Sequence, residues 1–251
     1  MKNLCISFAV LLLVISCKPK EEKIEAKVDV YKNYPEAIVK ILKKHGGLSA
    51  WNNARVLSFK KGEETHTVDL HSRKSLVQGN NYALGFNGKK AWLQEKDSGN
   101  FKGNPEFYHN LYFYFYAMPF VLADNGIVYS ETEAITFEGK EYPGIKISYK
   151  QDIGVSPDDN YFVYYNPETY QMEWLGYTVT YFSKEPSKKV NIIRYNNWEE
   201  STGFLLPKSI TWYKKDEQGN IDKPANEPAV FMNPLVSQNQ LADSFFEKPT
   251  E

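Results

Sequence analysis

A chain of 251 residues, 42 % of them hydrophobic, carries enough apolar side chains for one large buried core. Its 30 basic and 31 acidic residues balance to a formal charge of −1, which excludes the strongly basic surface that a nucleic-acid partner requires. The two cysteines, Cys5 and Cys17, both stand near the N-terminus, so a disulfide framework or thiol catalysis further along the chain is excluded as well.

Met1 and Lys2 lead into the apolar run Ile6 to Ile15, which reaches Ser16 and Cys17 directly before Lys18. The run falls short of the roughly 20 apolar residues that span a bilayer as a helix, so residues 1–16 read as a cleavable secretory signal. Val14-Ile15-Ser16-Cys17 resembles the bacterial lipobox, which implies that Cys17 takes up diacylglycerol. At about 0.8 kcal/mol for each buried CH₂, two or three acyl chains hold a protein at a membrane. Residues 17–30, with Lys18-Pro19-Lys20-Glu21-Glu22-Lys23 at their start, form a charged tether. Lys18 stands where an inner-membrane retention signal has Asp, and Lys20-Glu21-Glu22 is similar to the export tag of Bacteroidota-type lipoproteins. The expected location is the cell envelope, anchored by lipid at the outer membrane and either facing the periplasm or displayed outside.

Residues 31–251 read as a single domain. Pro35 opens a helix in which Ile38, Ile41 and Leu42 recur at helical spacing until Gly46, a residue suited to a left-handed cap. Ser49 is expected to cap a further turn that holds Trp51. Strands follow over Val56 to Lys60, Thr65 to Leu70, Tyr82 to Phe86 and Lys90 to Gln94, with Asn87-Gly88 as a type I′ hairpin turn. Between Asn104 and Ala123 the chain is largely aromatic. Asn104-Pro105 suits a helix start and Pro119 a stop, with Tyr108, Leu111, Tyr112 and Phe115 along one face. From Gly126 onward strands are expected over Ile127 to Phe137, Tyr142 to Tyr149, Asn160 to Tyr165, Met172 to Phe182, Lys189 to Trp198 and Leu206 to Tyr213. This pattern predicts a mainly β (α+β) class, with one curved antiparallel sheet or half-open β-barrel and short helices on its concave side.

His45-Gly46-Gly47 with Trp51, Asp69-Leu70 with Arg73, Asn87-Gly88-Lys89 with Trp92, Tyr112 to Phe120, and Tyr177 to Phe182 together resemble a family of uncharacterised Bacteroidota lipoproteins, a domain of unknown function. The resemblance spans nearly the whole chain after the tether. Asp159 to Thr169 is similar to a strand-turn-strand element of the periplasmic lipoprotein carriers of the LolA and LolB type. That likeness implies a half-open barrel covered by helices, with an apolar cavity for acyl chains.

The aromatic segment is where a function is expected. A curved sheet plugged by bulky rings leaves apolar walls on both sides, with tyrosine hydroxyls at the rim for a polar head group. Trp51, Trp92, Phe107, Tyr108, Leu111 and Tyr112, together with Phe115 and Phe120, are the candidate lining of a site for a hydrophobic small molecule or lipid. The plainer expectation for most of these rings is core packing. A second reading is a hydrolase or lyase built on a polar site of His45, Asp69, His71 and Arg73, the last three sharing a strand face. A solvated strand face explains those three more simply, and a histidine in the last turn of a helix also complements the helix dipole. His66 and His71, five apart on a strand, point to opposite faces and do not chelate one metal together. Asp158-Asp159 fits an ordinary turn after Ser156-Pro157. No cofactor or zinc spacing, phosphate loop or nucleophile elbow is present. A surface interaction module, which needs grouped exposed aromatics, is the third reading.

Overall fold

The computed structural model describes residues 29–149, 159–181, 187 and 189–250. The signal, Cys17 and nearly all of the tether lie outside them, as does the predicted strand end at Phe182. The first helix, α1 (Glu36–Lys44), follows Pro35 and buries Ile38, Ile41 and Leu42. Gly46 has a φ of +119°, and a Cβ there would meet the carbonyl oxygen of Gly203 at 2.6 Å. The sequence therefore needs glycine at this point twice over, for the left-handed backbone and for the close approach. Helix α2 (Leu48–Asn53) starts from Gly47, so Ser49 lies inside its first turn and is not its cap.

Five strands follow as an antiparallel meander: β1 (Val56–Lys61), β2 (Glu64–Asp69), β3 (Ser75–Gln78), β4 (Tyr82–Phe86) and β5 (Ala91–Glu95). The turn between β4 and β5 sits one residue later than its sequence signal. Asn87 donates its N–H to the Lys90 carbonyl while its side chain accepts from the Lys89 and Lys90 amides, which leaves Gly88, at φ +92°, and Lys89 as the turn pair. The aromatic segment then forms two short helices, α3 (Pro105–Tyr108) and α4 (Leu111–Tyr116), and a 3₁₀ turn over Phe120–Ala123.

A second meander comprises β6 (Ile127–Phe137), β7 (Lys140–Tyr149), β8 (Tyr161–Tyr165), β9 (Met172–Tyr177), β10 (Asn191–Ser201) and β11 (Phe204–Lys215), with β12 (Ile221–Pro224) folded back on β11. The last strand, β13 (Ala229–Ser237), joins the two meanders. It pairs with β1 through Leu57 and Val236, and with β11 through Ile210 and Ala229. One curved antiparallel sheet results, open and not closed into a barrel, in the order β5-β4-β3-β2-β1-β13-β11-β10-β9-β8-β7-β6. Its two end strands, β5 and β6, are successive in the chain, and the aromatic segment is the connection between them.

The main core lies between one face of the sheet and the helices. Leu57, Phe59, Ile147, Val163, Leu175 and Ile193 face inward against α1, α2, α4 and the 3₁₀ turn. On the opposite face Phe137, Tyr142, Tyr164, Trp174 and Ile192 make a second cluster, capped by Arg194, whose guanidinium carbon sits 4.9 Å from the Trp174 ring centre. Among the described residues no helix is long and apolar enough to cross a membrane.

Candidate functional site

The inward rows of the second meander change character along their length. On β7 the inner positions read Ile145, Ile147, Tyr149; on β8 Val163 gives way to Tyr161; on β9 Leu175 gives way to Tyr177. Period-two alternation puts each of these series on one face, so aliphatic core grades into a ledge of tyrosines at one end of the sheet. Opposite this ledge stands the aromatic segment. Between them is a hollow of about 460 Å³, within the range of roughly 300–1,000 Å³ usual for small-molecule sites. Leu111, Phe115 and Met118 supply its apolar floor, and Phe107 with Tyr181 stands at its side, ring centres 4.9 Å apart. Trp212 completes the wall: its indole N–H donates to the Tyr177 hydroxyl at 2.9 Å, and its ring meets Phe115 edge-on at 5.6 Å.

Burial pushes the hydroxyls of Tyr149 and Tyr161 well above the usual phenol range, and the nearby Asp159 carboxylate adds to it in both cases. They therefore stay protonated as donors. Asp124, also on the wall, is pushed up by burial, against the opposing pull of Arg73, which pairs with its Oδ1. Arg73 and Asp124 also border a second hollow of about 260 Å³, with Trp51, Leu70, His71 and Phe120.

The insert is fastened to the first meander by polar contacts. Tyr108 and Tyr82 both donate to the carboxylate of Glu64, which His66 approaches through Nε2 at 3.1 Å. Burial works against that carboxylate, but the hydrogen bonds from His66, Tyr82 and Tyr108 outweigh it and hold its pKa down at about 2. His109 meets the Ser75 hydroxyl at 2.9 Å and stacks on Phe86, and burial lowers its pKa to about 4. The break between α3 and α4 falls at His109 and Asn110, where the chain bends so that rings all round α4 find walls. Phe113 and Tyr116 point into the core while Leu111 and Phe115 reach the hollow.

Of the expected lining residues, Phe107, Leu111 and Phe115 border the main hollow. Trp51 and Phe120 stack on each other at 4.3 Å beside the second one. Trp92 is packed with Leu76 and Phe246 and donates its indole N–H to the Phe246 carbonyl, away from both hollows. Tyr108 is held on Glu64, and Tyr112 lies under the Lys61 ammonium at 4.1 Å. Tyr149, Tyr161, Tyr177 and Trp212 were not singled out from sequence. The signal that finds them is the alternation within their strands, where tyrosine replaces an aliphatic residue in the inner row.

Of the four polar candidates His45 stands apart, while His71 and Arg73 both border the second hollow. His45 is fully buried at the end of α1: its Nδ1–H donates to the Leu205 carbonyl and its Nε2 accepts the Met172 N–H, at 3.1 Å each. Those partners fix one neutral tautomer, and burial lowers the pKa to about 4. It therefore brings no charge to the helix dipole. Strand β2 ends at Asp69 and Arg73 has a φ of +59°, so Asp69, His71 and Arg73 share a turn and not a strand face. Asp69 accepts from the His71 and Ser72 amides and the Ser72 hydroxyl, which holds that turn. His71 accepts from Arg55 through Nδ1 and donates to the Asn52 carbonyl, and Arg73 goes to Asp124. Among the described residues no group of three or more His, Cys, Asp or Glu side chains is arranged to hold a metal ion.

The chain is similar in structure to a LolA superfamily protein from Nitrosomonas europaea, with 10 % identity and a TM-score of 0.40 over 83 % of this chain and 96 % of that one. It is also similar to a DUF1329 family protein from Desulfovibrio piger, with 9 % identity and a TM-score of 0.44 over 84 % of this chain and 95 % of that one. No curated protein matches the chain in sequence. Residues 37–217 match DUF6503, a family of unknown function.

Proposed function

Because the chain belongs to DUF6503, a family of unknown function, we propose from its own geometry that it is a binding or carrier protein for an apolar ligand such as an acyl chain, seated between the aromatic insert and the sheet. The observation that carries this reading is the hollow of about 460 Å³ floored by Leu111, Phe115 and Met118 and rimmed by tyrosine hydroxyls. Each CH₂ of a chain laid there gains about 0.8 kcal/mol from burial, so a short acyl tail suffices for useful affinity. Full-length protein extracted from cells and examined by mass spectrometry is expected to carry an apolar small molecule, and to rebind it after delipidation. Leu111→Trp, which fills the floor with a larger ring, should weaken rebinding by roughly tenfold, the equivalent of one to two lost CH₂ contacts. A protein that neither retains nor accepts any apolar molecule overturns the reading.

Membrane anchoring through lipid on Cys17, with residues 17–30 as the tether to a single domain, belongs to the same proposal and rests on the lipobox resemblance. Cys17→Ser should move the protein from the membrane fraction to the soluble envelope fraction and abolish palmitate labelling. Persistence of the variant in washed membranes counts against the lipid anchor while leaving the hollow's role intact. Two readings compete at this site, and the pairing of Asp69 and His71 with Arg55 and of Arg73 with Asp124 favours a binding site over an enzyme built on them.

A further inference from the structure

Uncharged phenolic hydroxyls gather in the hollow with little to bond to. Tyr149, Tyr161 and Tyr177 come from the ledge and Tyr114 from α4 opposite, and all of them line the hollow. The Tyr161 hydroxyl feels those of Tyr149, Tyr114 and Tyr177, and the Tyr149 hydroxyl feels that of Tyr114, so they stand within electrostatic reach of one another. Among the described residues the hydroxyls of Tyr114, Tyr149 and Tyr161 make no hydrogen bond, while that of Tyr177 accepts from the Trp212 N–H and keeps its own proton to donate. A guest made of hydrocarbon alone would cover these donors and leave them without partners, which opposes its binding.

The carboxylates on the same walls are already engaged. Asp124 takes the Arg73 guanidinium on Oδ1, and Asp159 accepts from the Thr178 hydroxyl at 3.5 Å. What the hollow still offers a ligand is therefore neutral O–H donors, the complement of an oxygen that accepts and carries no proton. An ionised carboxylate also accepts, but no Lys, Arg or His stands in the described lining to compensate its charge. Building on the apolar-ligand reading, we propose that the hollow takes a neutral acyl ester, its carbonyl oxygen accepting from the Tyr149 and Tyr161 hydroxyls and its hydrocarbon lying over Leu111 and Phe115. A carbonyl oxygen has two lone pairs and receives two such donors at once.

The test compares three probes with the same dodecyl-length chain on the intact protein by titration calorimetry, each below its micelle threshold: 1-monododecanoylglycerol, its ether counterpart 1-O-dodecylglycerol, which lacks only the carbonyl, and dodecanoate. The ester is expected to bind about tenfold more tightly than the ether, the worth of one to two hydrogen bonds, and more tightly than dodecanoate. In Tyr161→Phe, which keeps the ring and removes the hydroxyl, the ester's advantage over the ether should shrink several-fold while the ether's own affinity holds. Equal binding of ester and ether, or tightest binding of dodecanoate, overturns carbonyl recognition and leaves the apolar site standing. An ester advantage unchanged in both Tyr161→Phe and Tyr149→Phe overturns the assignment to these hydroxyls. If no probe binds, carbonyl recognition and the site it rests on fall together. The comparison of ester with ether on the unaltered protein stands whether or not the phenylalanine variants fold.

Discussion

Replacing His45 with alanine is expected to lower the unfolding free energy by about 3–5 kcal/mol, measured as the shift of a urea transition. The imidazole is fully buried and bonded at both nitrogens, to the Leu205 carbonyl and the Met172 amide. Its removal strands one buried acceptor and one buried donor, each worth about 1–3 kcal/mol, and opens a void against Trp198, whose ring centre lies 4.4 Å away. Since α1 reaches β9 and β11 through this side chain, His45→Gln, which can keep one of the two bonds, should fall between alanine and the native residue. A loss below about 1 kcal/mol in the alanine variant would show that the helix is held by its apolar face alone.

Acidification from pH 7 to pH 4 should destabilise the protein steeply through its buried histidines. His45 and His109 are buried as neutral rings, with pKa values lowered by burial from 6.5 to about 4, and burial lowers His66 as well. Below pH 6.5 the unfolded chain takes up protons that the folded chain refuses, so this stability is complete above pH 6.5 and is lost as the pH falls toward 4. The two rings with a shift of this size contribute about 3 kcal/mol each across that window. Glu64 then adds a second, lower window. Its pKa is lowered from 4.5 to about 2, so its contribution is present above pH 4.5 and disappears as the pH drops toward 2. Urea midpoints taken from pH 7 to pH 2 should fall through both windows, and His109→Gln should flatten the upper one by about one proton. A midpoint constant between pH 7 and pH 4 would mean that these imidazoles are charged in the folded state.

The strand meanders and α1 were legible in sequence because their apolar residues repeat at clean periods of two or of three and four. Ile127 to Phe137 was read at its observed bounds. β3, β12 and β13 were missed. β3 is four residues long, with Ser75 and Gln78 at its ends. Pro224 ends β12, and Asn233 and Pro234 interrupt β13, where Asn233 takes a φ of +53° and the register against β1 slips. Proline inside a strand pattern argues against a strand unless a bulge absorbs it, and that is a tertiary fact. The expected strand over Met172 to Phe182 ends at Tyr177. The aromatic insert was singled out as the expected functional element, yet which ring faces which wall depends on the bend at Asn110, and no spacing encodes that bend.

The seam made by β13 sets the moment at which a site can exist. Both meanders leave the ribosome before residues 229–237, yet the insert is gripped by Glu64 and Ser75 on one of them and faces the tyrosine ledge of the other. Until the final strand zips β1 to β11, these two grips have no common frame. The proposed capacity for an apolar guest would therefore require β13, and a copy clipped before that strand would show its greasy rings to proteases.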